Sequence, residues 1–458
     1  MKQRKNKKPG RADVRTLVVL LLIILVVVSL PFALHQMSPA RELAITIYDK
    51  TVPTKAAEQH RSLLWFMQHY KYPTPDGSLF GKTGSHLGYN PEDAEPIKDL
   101  TFMDPRTDVL YVADTYGVYR NAEGFSRTTV PTGESNLIWG GTTESDVQLI
   151  RQFLNREKSS TVIAEYNTFA TPTPSYVQAQ MYQVLGTRWT GWTGMYVHDL
   201  SPKGEVPAWI LEQFGGSWNY QGKGIILSNI HDEVVVLREG VELGPKALQF
   251  QFTEAGTTHL GLSGSQPYSQ LFDITESLAG TEALATYELD TTAAGAALLA
   301  SYGVPSSFPA VQLKQTAHHL SYYFSGNWAF SREQLRFSRA MGMHTLMQRV
   351  SAGERAFLWK VYLPLLKAIL DEAQQRKSFV TPQEESKPYL HEGVELVART
   401  RGQEIQVYQD GTWQPLFIYG MNLGTAMPGK WFTEFPQDKS LYYRWLKQPI
   451  TNAELIEA

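Results

Sequence analysis

An apolar run with no charge in it constrains this chain most. It extends from Leu17 to Leu34, broken only by Ser29 and Pro31, and between Arg15 and Arg41 the sole ionisable residue is His35. As a helix, roughly 18 residues reach about 27 Å, close to the hydrocarbon thickness of a bilayer. Seven cations precede it (Lys2, Arg4, Lys5, Lys7, Lys8, Arg11, Arg15), against one anion, Asp13. A basic flank of this kind stays cytoplasmic, so residues after about 36 are expected outside. The expected topology is a cytoplasmic arm (1–15) and a single transmembrane anchor (16–36) in the cell membrane, with an extracytoplasmic bulk. A cleaved signal peptide is the rival reading, with small residues at Ser38-Pro39-Ala40; against it, the run exceeds the roughly 7–15 residues of a signal core. Either reading exports the remainder.

The sequence has no cysteine. That removes lipid attachment through an acylated cysteine, disulfides, thiolate nucleophiles and Cys-ligated metals. Without the N-terminal arm, 35 basic residues face 44 acidic ones. A surface of that sign repels nucleic acid, so the basic arm is read as a topology signal. With 43% apolar residues, the exported part has material for two or more ordinary cores.

Along the chain, Ala44–Asp49 and Asp108–Asp114 (DVLYVAD) read as strands, the second a continuous apolar run suited to a parallel sheet. A Gly140-Gly141 turn leads into a helix over Ser145–Asn155, then a strand over Thr161–Tyr166 and a helix over Ser175–Leu185. Strand and helix alternating in this way predict a parallel sheet with crossover helices. Short β-prone segments follow from Gly224 (including Ala247–Phe252, His259–Leu262 and Ala283–Leu289), then a helix over Thr292–Tyr302, a strand over His319–Phe324 and a long helix over Glu354–Gln375 with Pro364 as a kink. Residues 376–391 read as a linker, and Val394–Thr400 with Glu404–Gln409 as a hairpin.

DVLYVAD, WGGTTESD before a helix, TVIAEYN, and YYFSGNWA before FLWKVYLPLLKAIL together resemble a glutamine-amidotransferase-like α/β domain over 44–375, with a β-rich insert at 224–290. The family's nucleophilic cysteine is absent, so the resemblance implies the scaffold and not the activity. The segment Phe417–Gly424 (FIYGMNLG), with Pro428-Gly429, TEFP at 433–436 and YYRWL at 442–446, resembles the opening strand and first loop of a glycosidase (β/α)8 barrel. Such a barrel needs about 250 residues, far more than follow Phe417, and its catalytic carboxylates lie on later strands. A truncated or shifted reading frame near residue 448 is expected. The expected fold class is therefore α/β: an anchor helix, an amidotransferase-like parallel-sheet domain with an antiparallel insert, and a barrel stub within 392–458.

Candidate chemistry gathers at strand ends, where open α/β sheets bind ligands. Asp114 closes DVLYVAD, with Tyr116 and Tyr119 after it. Glu165 and Asn167 close TVIAEYN. Asp114 and Glu165 would form an acid–base pair if roughly 5–10 Å apart; turn capping is the plainer role for each. Glu144 and Asp146 open a helix, where acidic residues cap and favour the dipole. Trp189, Trp192 and Tyr196 lie in RWTGWTGMYVHD, read as a glycine-rich loop that either stacks on sugar rings or plugs the core. Expected ligand contacts are Tyr116, Glu144, Asn167, Trp189, Trp192 and Tyr196. His318-His319, His198-Asp199 and His231-Asp232 lack zinc spacing, so no metal and no cofactor are expected. Three functions stay open: a membrane-anchored module that binds or scaffolds surface polysaccharide, a hydrolase acting through Asp114 and Glu165, and a structural envelope protein without a ligand.

Overall fold

In the computed structural model, the described residues are 11–377, apart from 53–56, 82–85, 92–94, 120–136, 157, 317–318 and 334; beyond 377 only scattered strands are described, as backbone. One helix, Arg11–Met37, opens the chain, and its Arg15–Met37 portion is long and apolar enough to cross a membrane.

The body is mixed α/β, built on a ten-stranded mixed sheet. Five parallel strands form its middle: Ile45–Asp49, Leu87–Tyr89, Val109–Asp114, Ser160–Glu165 and His319–Phe324. Numbered along the chain, their spatial order is 2-1-3-4-5. This is a doubly wound order, with its switch point between the first and third strands. Strands Ile45–Asp49, Val109–Asp114, Ser160–Glu165 and His319–Phe324 are buried throughout, as their apolar runs require.

Alternation along the strands feeds two cores. Ile47, Tyr111, Ile163 and Tyr322 point to one face, under Leu63, Phe66 and Met67 of the helix Arg61–Tyr70 and Leu366, Ile369 and Leu370 of the helix Leu363–Arg376. Leu110, Val112, Val162 and Ala164 point to the other, under Val147 and Ile150 of Glu144–Leu154 and Val177 and Met181 of Ser175–Leu185. The long C-terminal helix carries a π turn, Leu358–Tyr362, just before Pro364. A proline has no N–H and crowds the preceding turn, and a widened turn accommodates it.

Beyond His319–Phe324 the sheet continues antiparallel through Ser307–Gln315, Thr281–Thr291, Leu243–Phe252 and Ser265–Pro267. A second, four-stranded antiparallel sheet has the order Val234–Arg238, Gly224–Asn229, Thr187–Val197, Leu271–Ser277. The β-rich segment 224–290 thus divides between two sheets.

Two expectations change. His259–Leu262, read as a strand, belongs to the helix Glu254–Leu260; the Thr253 hydroxyl accepts the Gly256 N–H at its start, and Gly261 ends it in left-handed conformation. RWTGWTGMYV, read as a loop, is the strand Thr187–Val197. One of its glycines makes room instead of loosening the chain: a Cβ on Gly194 would lie 2.0 Å from the ring of Phe272 opposite. The linker and hairpin region contributes strands Ala398–Arg401, Glu404–Gln409 and Thr412–Pro415, paired antiparallel. The barrel start expected from Phe417 lies largely outside the described residues.

Gly194→Val should destabilise the protein by about 1–3 kcal/mol through overpacking. Denaturant or thermal unfolding in detergent checks this; an unchanged midpoint contradicts the packing of Phe272 on the glycine.

Candidate functional site

The carboxyl ends of the first and third strands are joined by buried polar contacts. Asp49 accepts the Thr51 N–H through one oxygen (2.8 Å) and His60 Nδ1 through the other (2.6 Å). Asp114 accepts the Thr51 hydroxyl and the Tyr116 N–H, each at 2.8 Å. Lys50 has no exposed side-chain surface. Its ammonium donates to Asp146 at 2.8 Å and to the Gly141 carbonyl at 2.9 Å, and lies 4.7 Å from the Trp139 ring centroid. Asp146 also completes a capping box with Thr143 and accepts the Tyr48 hydroxyl.

Glu165 is fully buried and accepts the Tyr111 hydroxyl (3.1 Å) and the Ala329 N–H (3.2 Å). Burial, its largest influence, holds its carboxyl well above the usual range. Asp114 and Glu165 therefore stand on adjacent strands, and alternation sends Glu165 to the Tyr111 face and Asp114 toward the other. Glu144 is exposed in the first turn of its helix.

A cleft of about 190 Å³, smaller than two other cavities in the body, opens one strand further along and between the two sheets; neither Asp114 nor Glu165 lines it. Tyr116, Tyr166 and Asn167 come from the ends of the parallel strands; Trp189, Thr193 and Met195 come from the second sheet; Trp209 and Asp232 close the rim. Alternation on Thr187–Val197 decides which aromatics face it. Trp189, Thr193 and Met195 do, whereas Trp192 is buried against Tyr302, and Tyr196 donates to Glu239 at 2.6 Å. Trp189 is fixed by its own ring N–H, which donates to the Trp192 carbonyl at 2.8 Å.

Of the eight residues expected to act at the site, the structure brings Tyr116, Asn167 and Trp189 together. The reading missed Thr193, Trp209, Asn229, Asp232 and, behind the wall, Asp273. Asp273 is buried and accepts the Thr193 hydroxyl (3.1 Å), the Tyr323 hydroxyl (2.8 Å) and the Asn167 N–H (3.3 Å). It binds the second sheet to the ends of the main one, and Asn167 takes a left-handed turn there, φ 69°, which Asn tolerates. The alternating polar and apolar residues of Leu271–Ser277 were a usable signal.

Among the described residues, no group of three or more His, Asp or Glu is placed to hold a metal ion. His60 and His86 pack ring against ring, 4.7 Å between centroids. Burial pushes His60 down to about 3 and His86 to about 4, so both are neutral near pH 7. His318 lies outside the described residues.

No family model matches the chain, and no curated relative matches it. Among solved structures, one similarity is to the crystal structure of Agd3, a novel carbohydrate deacetylase, at a TM-score of 0.29 and 11% identity, covering 62% of this chain and 29% of that one. The chain thus spans under a third of that protein, and a score this low does not establish a shared fold.

Because the folded state binds fewer protons than the unfolded one, these depressed histidines remove stability as pH falls below about 6.5, and continue to do so until their folded values are reached. One fully buried imidazole costs up to about 1.4 kcal/mol per pH unit in that window. Thermal midpoints measured between pH 7 and pH 4 should fall, and the fall should be shallower in His60→Gln. An identical slope in the variant contradicts the assignment.

Proposed function

We propose that this chain is a membrane-anchored, extracytoplasmic protein whose α/β body binds carbohydrate in the cleft between its two sheets. The arm of cations before the apolar helix supports a single pass with a cytoplasmic N-terminus. One observation carries the ligand: half-buried Trp189 and Trp209 share the cleft with Tyr116, Asn167, Thr193, Asn229 and Asp232. Flat apolar ring faces beside amide, hydroxyl and carboxylate groups suit the alternating apolar and hydroxyl edges of a sugar. The Asn167 side-chain amide lines the cleft and makes no hydrogen bond among the described residues, so it is available to a ligand. A cleft of about 190 Å³ is smaller than the ~300–1,000 Å³ of drug-sized pockets, and suits one ring of a polysaccharide whose neighbours run outward. The amidotransferase-like resemblance enters this reading as a scaffold alone.

The full chain, held in detergent, should retain specific glycans on an array of cell-surface polysaccharides. Trp189→Ala should weaken that binding about tenfold, about 1.4 kcal/mol, while Tyr176→Ala, an exposed helix residue that does not line the cleft, should leave it unchanged. Silence across all glycans by a folded chain would overturn the binding reading and favour a structural role.

A further inference from the structure

The membrane helix does not end where the body begins. The Met341 N–H donates to the Pro31 carbonyl at 3.0 Å, and the rings of Phe32 and Phe337 meet edge to face at 6.2 Å. His35, in the last turn, lies within hydrogen-bond distance of the Gln68 and His69 carbonyls. The segment around Phe337 and Met341 is therefore fixed at the level where the apolar helix leaves the bilayer.

That segment is apolar where a water-facing surface has no reason to be. Phe337 is 56% exposed, Met341 45%, Leu346 52% and Val350 62%. Leu346 and Val350 are four apart on the helix Met343–Val350 and share one face. The opposite side docks on the body through buried His344, whose Nδ1 lies 2.6 Å from the Tyr70 hydroxyl. Four exposed arginines occur in the same stretch, Arg332, Arg336, Arg339 and Arg349. The one acidic side chain described between Arg332 and Val350, Glu333, is taken by Arg355 at 2.7 Å. Apolar side chains on one face with cations beside them are the composition of a helix lying in a membrane interface, and arginines at that depth pair with lipid phosphates.

We propose that Arg332–Val350 is a second membrane contact, a collar lying in the outer leaflet beside the spanning helix and recognising anionic phospholipid headgroups. Phe337, Met341, Leu346 and Val350 enter the headgroup–acyl boundary, and the four arginines bind phosphates. This rests on the reading of Arg15–Met37 as a membrane span.

The absence of cysteine allows single spin labels with no background. The full chain is reconstituted in phosphatidylcholine vesicles with or without phosphatidylglycerol, carrying a label at Leu22→Cys, Leu346→Cys, Val350→Cys or Tyr176→Cys. Collision rates with oxygen and with a water-soluble nickel chelate are then compared. The labels at 346 and 350 should favour oxygen several-fold more than the label at 176, which sits on the opposite face of the sheet. Phosphatidylglycerol should increase that preference, and R332Q/R336Q/R339Q/R349Q should abolish the increase. If position 22 is deep while 346 and 350 are as open to nickel as 176, the collar is overturned with the span intact; if position 22 is itself in water, the span reading fails. Equal depth in both lipid mixtures overturns the headgroup assignment.

Discussion

A lysine ammonium with no access to water organises the carboxyl edge of this sheet. Removing such an ion from solvent costs several kcal/mol, which only excellent pairing offsets. Lys50 has that pairing in Asp146, the Gly141 carbonyl and the face of Trp139. Its partners belong to three pieces of chain: a turn, the strand before it and the first turn of a helix. Asp146 carries the compensating charge, with Asp99 4.0 Å away, so a misplaced helix start would leave the ammonium poorly paired. The consequence reaches the cleft. Doubly wound sheets usually seat ligands at the switch point, but here Asp49, Lys50, Thr51 and Asp114 occupy it with bonds to one another and to their neighbours. The open volume lies instead at the ends of the third and fourth strands, against the second sheet.

What the sequence disclosed and what it hid follow from the range of the interactions. Val109–Asp114 and Ser160–Glu165 were legible because strands buried on both faces must be apolar throughout. The helix Glu144–Leu154 was legible because a Gly-Gly turn followed by two acidic residues, Glu144 and Asp146, marks a helix start. The carboxylates at the strand ends were located correctly, but their partners lie far away in sequence: Glu165 meets Ala329, and Asp114 meets Thr51. Burial of Lys50 left no local mark, since an isolated lysine after a strand normally reaches solvent. In RWTGWTGMYV, glycine suggested a flexible loop; only the Phe272 ring across the ladder shows why one of those glycines belongs in a strand.

The cleft could not be read from either sheet alone. Its floor is made by the ends of parallel strands and its wall by antiparallel ones, and the joint between them includes a buried carboxylate, Asp273, beside the Thr275–Ser325 and Gln312–Thr275 hydrogen bonds. That carboxylate fixes Thr193, the Tyr323 hydroxyl and the backbone of Asn167 at once. Burial, with the Asp273 charge next, pushes the Tyr323 phenol far above its ordinary value, so it stays a proton donor to that carboxylate. The polar side of the cleft is therefore held by hydrogen bonds within the fold itself.

The junction between helix and body fixes where that cleft stands. Flexible linkers extend a domain's reach by about 5–6 Å × √n, and none separates Met37 from the body. Lys71 donates to the carbonyls of Gln36 and Ser38, at 3.1 and 2.6 Å, placing a cation at the negative end of the apolar helix. Ser38 closes the last turn through the Leu34 carbonyl, and Arg41 pairs through its backbone with Lys71. The helix is thus built into the body, and the orientation of the cleft relative to it is set by packing. Under the proposed membrane span, the cleft is therefore held at a fixed height from the bilayer.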